Sequence, residues 1–220
     1  MNTATGHNGP LHLISRWARG CTGLLGVWGL CACSVLNPTP AKPPLFHVLD
    51  SALLPTARPV PGAIPASRLT LVISPPRAAP GFDSQRIVYL RHDHQLEYFA
   101  RHEWVDRPAH MLGPLLVSAV QQTGVFAAVV LVSGAAAGDL RLSTELLQLQ
   151  HNFQTSPSRV QVQLRVYLTD EKTRKVLAWQ AFSAEAPAAS DTPEGGVAAA
   201  NAVVQQVLAQ VAQFLVDRPH

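Results

Sequence analysis

Apolar and polar residues alternate without interruption over residues 160–168. A strand formed there has one apolar side, made of Val160, Val162, Leu164, Val166 and Leu168. Its other side is polar and carries Gln161, Gln163, Arg165 and Tyr167. A period of two is typical of an antiparallel strand with one buried face and one wet face. We therefore predict a strand of an antiparallel sheet at this position.

Two neighbouring segments extend this sheet. Residues 140–153 also alternate, but the phase changes at Leu146-Leu147, which indicates a β-bulge. Residues 169–175 are polar and predict a hairpin turn, after which residues 176–185 form the return strand. These segments together predict an antiparallel meander.

Shorter apolar runs predict the remaining strands, at residues 46–50, 69–73, 86–90, 96–104 and 125–132. The run at 69–73 ends before two prolines, which is consistent with a buried strand. The polar stretch 91–95 lies between two of these runs and predicts the turn of a second hairpin.

Two segments show the 3.6-residue spacing of amphipathic helices. The first begins at Asp106-Arg107-Pro108, where Asp106 is a suitable N-cap and proline is tolerated in the first turn, and Gly124 suits its end. The second covers about residues 196–216, with an apolar stripe that should pack on the sheet. The predicted fold class is α+β: an antiparallel or mixed sheet with two helices packed on one face.

The N-terminal segment has a different pattern. Residues 1–19 contain Arg16 and Arg19 and no acidic residue, and residues 21–32 are apolar apart from Thr22. Twelve helical residues measure about 18 Å, which is short against a hydrocarbon layer of about 30 Å. A buried core helix is the alternative, but the glycines at 23, 26 and 29 weaken it. We therefore predict that residues 1–32 are a signal peptide for export.

The end of this segment, Leu30-Cys31-Ala32-Cys33, resembles the bacterial lipoprotein signal. The thiol of Cys33 would carry a diacylglyceryl group as a thioether, and the small Ala32 suits a peptidase that cuts just before Cys33. Acyl chains such as palmitate would then hold the protein at the membrane, each buried CH₂ contributing about 0.8 kcal/mol. Cys31 is a weaker candidate because the bulky Leu30 would precede it. Ser34 is not the inner-membrane retention signal, so the outer membrane is the expected location. Residues 33–45, with prolines at 38, 40, 43 and 44, predict an extended tether.

Composition adds limits to this picture. The 220 residues are 47% hydrophobic and 14% charged, which allows a sizeable core, and we predict one folded domain at residues 46–217. The net charge of +3 falls to +1 once Arg16 and Arg19 are removed, so nucleic acid is not an expected partner. All cysteines lie at positions 21, 31 and 33, so the domain itself has no disulfide.

Two groups of residues invite a chemical interpretation. His92 and His94 could bind Zn²⁺ with His102 or Asp93 if they share a strand, but a polar turn is the simpler interpretation. Ser84 could be a nucleophile, yet it lacks the G-x-S-x-G elbow and follows a Pro-Gly turn. We therefore expect no enzyme activity, no metal and no cofactor.

Several short motifs occur in a characteristic order. They are 80–89 (PGFDSQRIVY), 96–100 (LEYFA) with Trp104, Pro108, Met111 and Leu112, then Phe153-Gln154, Pro157-Ser158 and 199–201 (AAN). Together with the lipoprotein signal, they resemble the ABC-type transport auxiliary lipoprotein family. The resemblance covers most of residues 46–216.

The resemblance implies a non-catalytic lipoprotein of an MCE-type lipid transport system in a Gram-negative envelope. Such a protein would face the periplasm and dock on the periplasmic MCE protein, while an inner-membrane permease and ATPase supply the energy. A homo-oligomer is compatible with this expectation. The alternatives are a stand-alone envelope lipoprotein that binds lipid or a small molecule, and an envelope hydrolase.

Aromatic and basic residues on the 86–104 hairpin are the candidate docking face. They are Arg86, Tyr89, Tyr98, Arg101 and Trp104. The arginines could pair with carboxylates of a partner, or lie on a solvated strand face. The aromatic side chains could contact a partner or lipid, or instead form cross-strand pairs and core.

Overall fold

The computed structural model describes residues 42–50, 68–132, 134 and 138–218. The predicted signal peptide, Cys33 and most of the predicted tether lie outside the described residues. In chain order the described elements are β1 (Leu45–His47), β2 (Thr70–Ile73), β3 (Arg77–Ala78), β4 (Arg86–His92), β5 (Gln95–Trp104), α1 (Pro108–Gln121), β6 (Ala128–Leu131), β7 (Leu140–Asn152), β8 (Arg159–Asp170), β9 (Val176–Pro187) and α2 (Pro193–Val216).

The long strand β7 organises the sheet. One edge pairs antiparallel with β8 from Leu140↔Asp170 to Asn152↔Arg159. The other edge pairs in parallel with β2, then β3, then β4. A 13-residue strand is about 43 Å long at 3.3 Å per residue, so three shorter strands fit along it in succession. The register shifts between Leu146 and Gln148, which confirms the predicted bulge.

The other pairings complete a mixed sheet. β8 pairs antiparallel with β9, and β4 pairs antiparallel with β5. β1 runs parallel to β5 and β6 runs parallel to β2. The predicted meander is therefore present as β7–β8–β9, and parallel pairings join the shorter strands to it.

The start of α1 differs from the prediction. Its N-cap is Arg107, not Asp106, and Pro108 takes the first helical position. The carboxylate of Asp106 accepts a hydrogen bond from the adjacent N–H of Arg107 at 2.7 Å, so it does not reach the N–H groups of the first turn. Gly124 follows the helix with a φ of +67°, a left-handed conformation that glycine adopts without strain.

Helix α2 begins three residues before its predicted start. Thr192 is the N-cap, and its hydroxyl accepts a hydrogen bond from the N–H of Gly195 at 3.2 Å. Pro193 occupies the first helical position. Glu194 places a negative charge in the first turn, where it interacts favourably with the positive end of the helix dipole. The cap and the proline together fix where the helix starts.

The core lies between the sheet and both helices, as predicted. The five apolar side chains of β8 are at most 2% exposed. They meet the apolar stripe of α2, which includes Val203, Val207, Leu208 and Val211 at 2% exposure or less. Helix α2 is long and apolar enough to cross a membrane, but 56% of its apolar window is buried within the fold. Its composition is explained by this burial.

Candidate docking surface and the buried network beside it

The sheet face opposite the helices carries a ladder of amide side chains across β7 and β8. The Gln148 and Gln150 side chains donate hydrogen bonds to Oε1 of Gln161, at 3.4 and 3.3 Å. Gln161 in turn donates to Glu185 on β9 at 3.2 Å. An amide side chain can donate one hydrogen bond and accept another, so this surface can bind either donors or acceptors of a partner.

Charged pairs and aromatic rings flank the ladder. Arg159 pairs with Glu185 at 3.1 Å, and Arg165 pairs with Glu145 at 3.4 Å. Tyr167 and Trp179 are cross-strand partners with ring centroids 6.5 Å apart, and Trp179 is 62% exposed. An exposed tryptophan on a largely polar face is typical of a surface that meets another molecule.

A groove opens beside this face where β3 lies against β7. Its volume is about 490 Å³. It is lined by Ser74, Pro75, Arg77, Ala78, Ser143, Thr144, Glu145 and Tyr167. This lining mixes apolar groups with polar groups and charges of both signs, so the groove is less suited to an acyl chain than a uniformly apolar pocket is.

Two of the predicted docking residues lie on the same face. The guanidinium carbon of Arg86 is 5.1 Å from the centre of the Tyr98 ring, which is 37% exposed. Tyr98 is paired with Val88, and Leu90 of the same strand is paired with Asn152 of β7. Paired residues point to the same side of a sheet, so this cation–π pair continues the face that carries the glutamine ladder. Arg101 is also exposed and lies where the β4–β5 register shifts.

The other two predicted docking residues lie inside the fold. Trp104 is 3% exposed and belongs to the hydrophobic core. Tyr89 is 9% exposed, and its hydroxyl donates a hydrogen bond to Glu97 at 2.9 Å, which raises the pKa of the tyrosine. Of the five predicted docking residues, Arg86, Tyr98 and Arg101 are therefore the ones exposed at the surface.

The residues considered for metal binding and hydrolysis are not arranged for either. His92 ends β4, whereas His94 lies in the turn with a φ of 63°, so the two do not share a strand. Within the described ranges, no group of three His, Cys, Asp or Glu side chains could hold a metal ion. The hydroxyl of Ser84 accepts a hydrogen bond from the N–H of Arg86 at 3.3 Å and stabilises the turn before β4.

Sequence patterns did not predict a buried polar network on the opposite, helix-facing side of the sheet. Ser158 is fully buried, and its hydroxyl donates a hydrogen bond to the carboxylate of Asp191. The same hydroxyl lies 2.8 Å from Nε2 of His151, which must therefore carry the proton and donate it. The motif Pro157-Ser158 was the available signal, but Asp191 lies 33 residues away along the chain.

The network is structural. In a catalytic triad the histidine stands between serine and acid, but here the serine stands in the middle and is closed to solvent. Burial lowers the pKa of His151, and the hydrogen bonds from Ser158 lower the pKa of Asp191. A neutral histidine and an ionised aspartate then hold the start of β8 to the loop before α2.

A second histidine contact joins β1 to β5. Nε2 of His47 lies 3.0 Å from Nδ1 of His102, and His102 lies 3.7 Å from the carboxylate of Glu194. Burial and the proximity of His102 lower the pKa of His47. This contact fixes the first strand against the sheet near the start of α2.

The model of the family "ABC-type transport auxiliary lipoprotein component" matches residues 53–212. The chain belongs to this family. Among curated proteins, none matches this chain in sequence.

Solved structures share the fold of this ABC-type transport auxiliary lipoprotein. Protein XCC0632 from Xanthomonas campestris superposes with a TM-score of 0.64 at 21% identity, over 80% of this chain and 94% of that chain. An uncharacterized protein superposes with a TM-score of 0.60 at 15% identity, over 79% of this chain and 99% of that chain. At these identities the likeness concerns the fold alone.

Membership of the family sets the broad context of this auxiliary lipoprotein. It is a lipoprotein component associated with ABC-type transport, and it belongs among the membrane-anchored proteins of the cell envelope. The prediction made from the motifs at 80–89 and 96–100 is confirmed at this level.

Proposed function

We propose that this auxiliary lipoprotein is anchored to the outer membrane by lipid on Cys33 and docks on the periplasmic MCE component of an ABC-type lipid transport system. It does so without catalysing a reaction. An inner-membrane permease and ATPase supply the energy. The observation that carries this proposal is the open sheet face, with Arg86 stacked on the exposed Tyr98, in a chain of this family.

The face opposite the helices is suited to protein recognition. Arginine and aromatic side chains contribute most to many protein interfaces, because they bury large areas and keep a polar group for a directed contact. Arg86 and Tyr98 are already stacked, so less conformational entropy is lost when a partner binds them. The neighbouring amide ladder gives a polar rim of the kind that such interfaces have.

A docking role is favoured over lipid binding inside the domain. The described cavity between sheet and helices has a volume of about 10 Å³ and is lined by Trp104, His151, Gly196 and their neighbours. That volume holds about one water molecule, whereas an acyl chain needs several hundred Å³. A stand-alone lipid-binding protein would require a larger cavity at this position.

The decisive experiment measures binding to a co-encoded MCE protein. Arg86→Ala combined with Tyr98→Ala should weaken the dissociation constant at least ten-fold, about 1.4 kcal/mol, while leaving the thermal midpoint nearly unchanged. Arg218→Ala is the matched control, since it removes a cation that lies 3.4 Å from the ring of Phe214 on the helical side. Docking through this face would be refuted if both variants weakened binding equally, or if neither weakened it.

The anchor is tested separately. Mass analysis of the mature chain should find a diacylglyceryl group on Cys33 as the first residue, and Cys33→Ser should release the protein from the membrane fraction. A mature chain with an unmodified thiol at position 33, or one that stays in the cytosol, would contradict the anchoring proposal.

A further inference from the structure

Four large apolar side chains are exposed at one margin of the sheet. Their exposed fractions are 57% for Leu45, 60% for Phe46, 46% for Val48 and 52% for Val105. The N–H of Val105 donates a hydrogen bond to the carbonyl of His47 at 2.7 Å, which brings β1 and the segment after β5 together. We call these four residues the β1 margin.

The β1 margin presents apolar groups on both sides of the sheet edge. Leu45 is paired with His102 and Phe46 with Glu103, so the two side chains point to opposite faces. β1 pairs with β5, and no other described strand covers its outer edge. β1 is only three residues long and follows Pro43 and Pro44, features that limit pairing with a further strand, but Leu45 and Phe46 still leave apolar surface exposed.

The position of this margin in the chain identifies what covers it. Cys33 precedes Leu45 by twelve residues, and a fully extended segment of that length spans at most about 43 Å. A tether of this length keeps β1 at a high effective concentration near the membrane that holds the lipid. Leu and Phe beside an edge that no described strand covers suit the lipid headgroup region, where water still satisfies the polar backbone groups.

We propose that the β1 margin lies against the phospholipid bilayer that carries the acyl chains on Cys33. This inference rests on the anchoring proposed above and adds the orientation of the domain. Phe46 and Leu45 enter the headgroup region from the two sides of the strand. Trp179 is then held away from the bilayer, since it lies on β9, which β5, β4, β7 and β8 separate from β1 by about 24 Å across the sheet.

The test uses the full lipoprotein reconstituted into phosphatidylethanolamine/phosphatidylglycerol vesicles. Cys21 and Cys31 are removed with the proposed signal peptide, and lipid occupies the thiol of Cys33. An added cysteine is therefore the single free thiol of the lipidated protein. Phe46→Cys carries a nitrobenzoxadiazole label, and Leu45→Cys provides a second site should Phe46→Cys fold poorly. Trp179→Cys is the matched control, because Trp179 is 62% exposed.

The emission of the label at position 46 should shift to shorter wavelength on the vesicles. Its intensity should fall by at least half when the lipids carry a quencher near the headgroup. The label at position 179 should show neither change. Equal behaviour at the two positions, whether both quenched or both exposed to water, would overturn the inference. Flotation with the vesicles and the mass of the Cys33 adduct report the anchor independently. Anchored protein with a water-exposed label at position 46 therefore refutes the orientation alone, and unanchored protein refutes both proposals.

Discussion

Replacement of Gly196 by alanine tests how α2 is seated on the sheet. Gly196 lies in the first turns of the helix, directly over the His151 ring. A Cβ atom at this position would lie 2.4 Å from Nδ1 of His151 and 2.9 Å from Cε1. Ordinary contacts are about 1 Å longer, so either the ring or the helix must move.

Neither group can move freely. His151 is 2% exposed, is hydrogen-bonded to Ser158, and has the ring of Phe153 at a centroid distance of 4.1 Å. Overpacking a core costs about 1–3 kcal/mol, and loss of a buried hydrogen bond costs about 1–3 kcal/mol. Alanine gains about 1 kcal/mol over glycine in a helix interior. The expected net loss is about 1–5 kcal/mol of unfolding free energy, with a central value of about 3 kcal/mol.

Thermal and urea unfolding of the soluble domain measure this loss. A change of 1 kcal/mol shifts the midpoint by about 2–4 °C for a domain of this size, so a loss of about 3 kcal/mol should lower it by about 6–12 °C. Gly113→Ala in α1 is the matched control, since its Cβ would meet the terminal carbons of Leu131, a side chain that is 42% exposed and can yield. Gly113 precedes Pro114, which restricts an alanine there, so the comparison is completed by a double-mutant cycle that isolates the contact with His151.

A double-mutant cycle identifies the cause. With His151→Ala in place, Gly196→Ala should no longer destabilise the protein, because the ring that it meets is gone. If Gly196→Ala is as stable as Gly113→Ala, or if its effect persists without the ring, the proposed seating of α2 on His151 is wrong.

Three further predictions concern single polar groups. Ser158→Ala should lower the unfolding free energy by about 1–3 kcal/mol, because the buried His151 loses its hydrogen-bond partner. Ser84→Ala is the control and should change the unfolding free energy little. Equal effects of the two substitutions in urea unfolding would contradict this prediction. Glu171 is paired with Arg141, which lowers the pKa of the carboxyl below its ordinary value of 4.5. Its contribution to stability is therefore present above that pH and lost in acid, so between pH 6 and 3 the thermal midpoint of the unmodified protein should fall further than that of Glu171→Gln. Burial and the proximity of His102 lower the pKa of His47 below 6.5, so its imidazole signals in NMR should titrate below pH 6.5. The unfolding free energy should decrease as the pH falls below 6.5, because the unfolded chain then binds a proton at His47 more readily than the folded chain does. Titration of His47 at or above pH 6.5 would contradict the described contact.

The sequence pattern did not resolve which aromatic residues of β5 are buried and which are exposed. Tyr98 and Trp104 both belong to an aromatic-rich strand, yet one is 37% exposed and the other 3%. An aromatic side chain fits a core or an interface equally well by composition. The register of β4 and β5, with its shifts, decides which side each residue faces, and alternation within one strand does not encode that register.

Local pattern determined much of this protein. The alternation of β8, the bulge in β7, the hairpin turns and the stripes of α1 and α2 follow from which side of each element is apolar, and that information lies in neighbouring residues. The order of motifs was enough to identify the family. The tertiary structure alone decided that β2, β3 and β4 share one edge of β7, that Ser158 meets Asp191, and that Leu45 and Phe46 are exposed at the margin of the sheet. These facts depend on contacts between segments distant in the chain, and the periodicity of one segment does not specify which other segment packs against it.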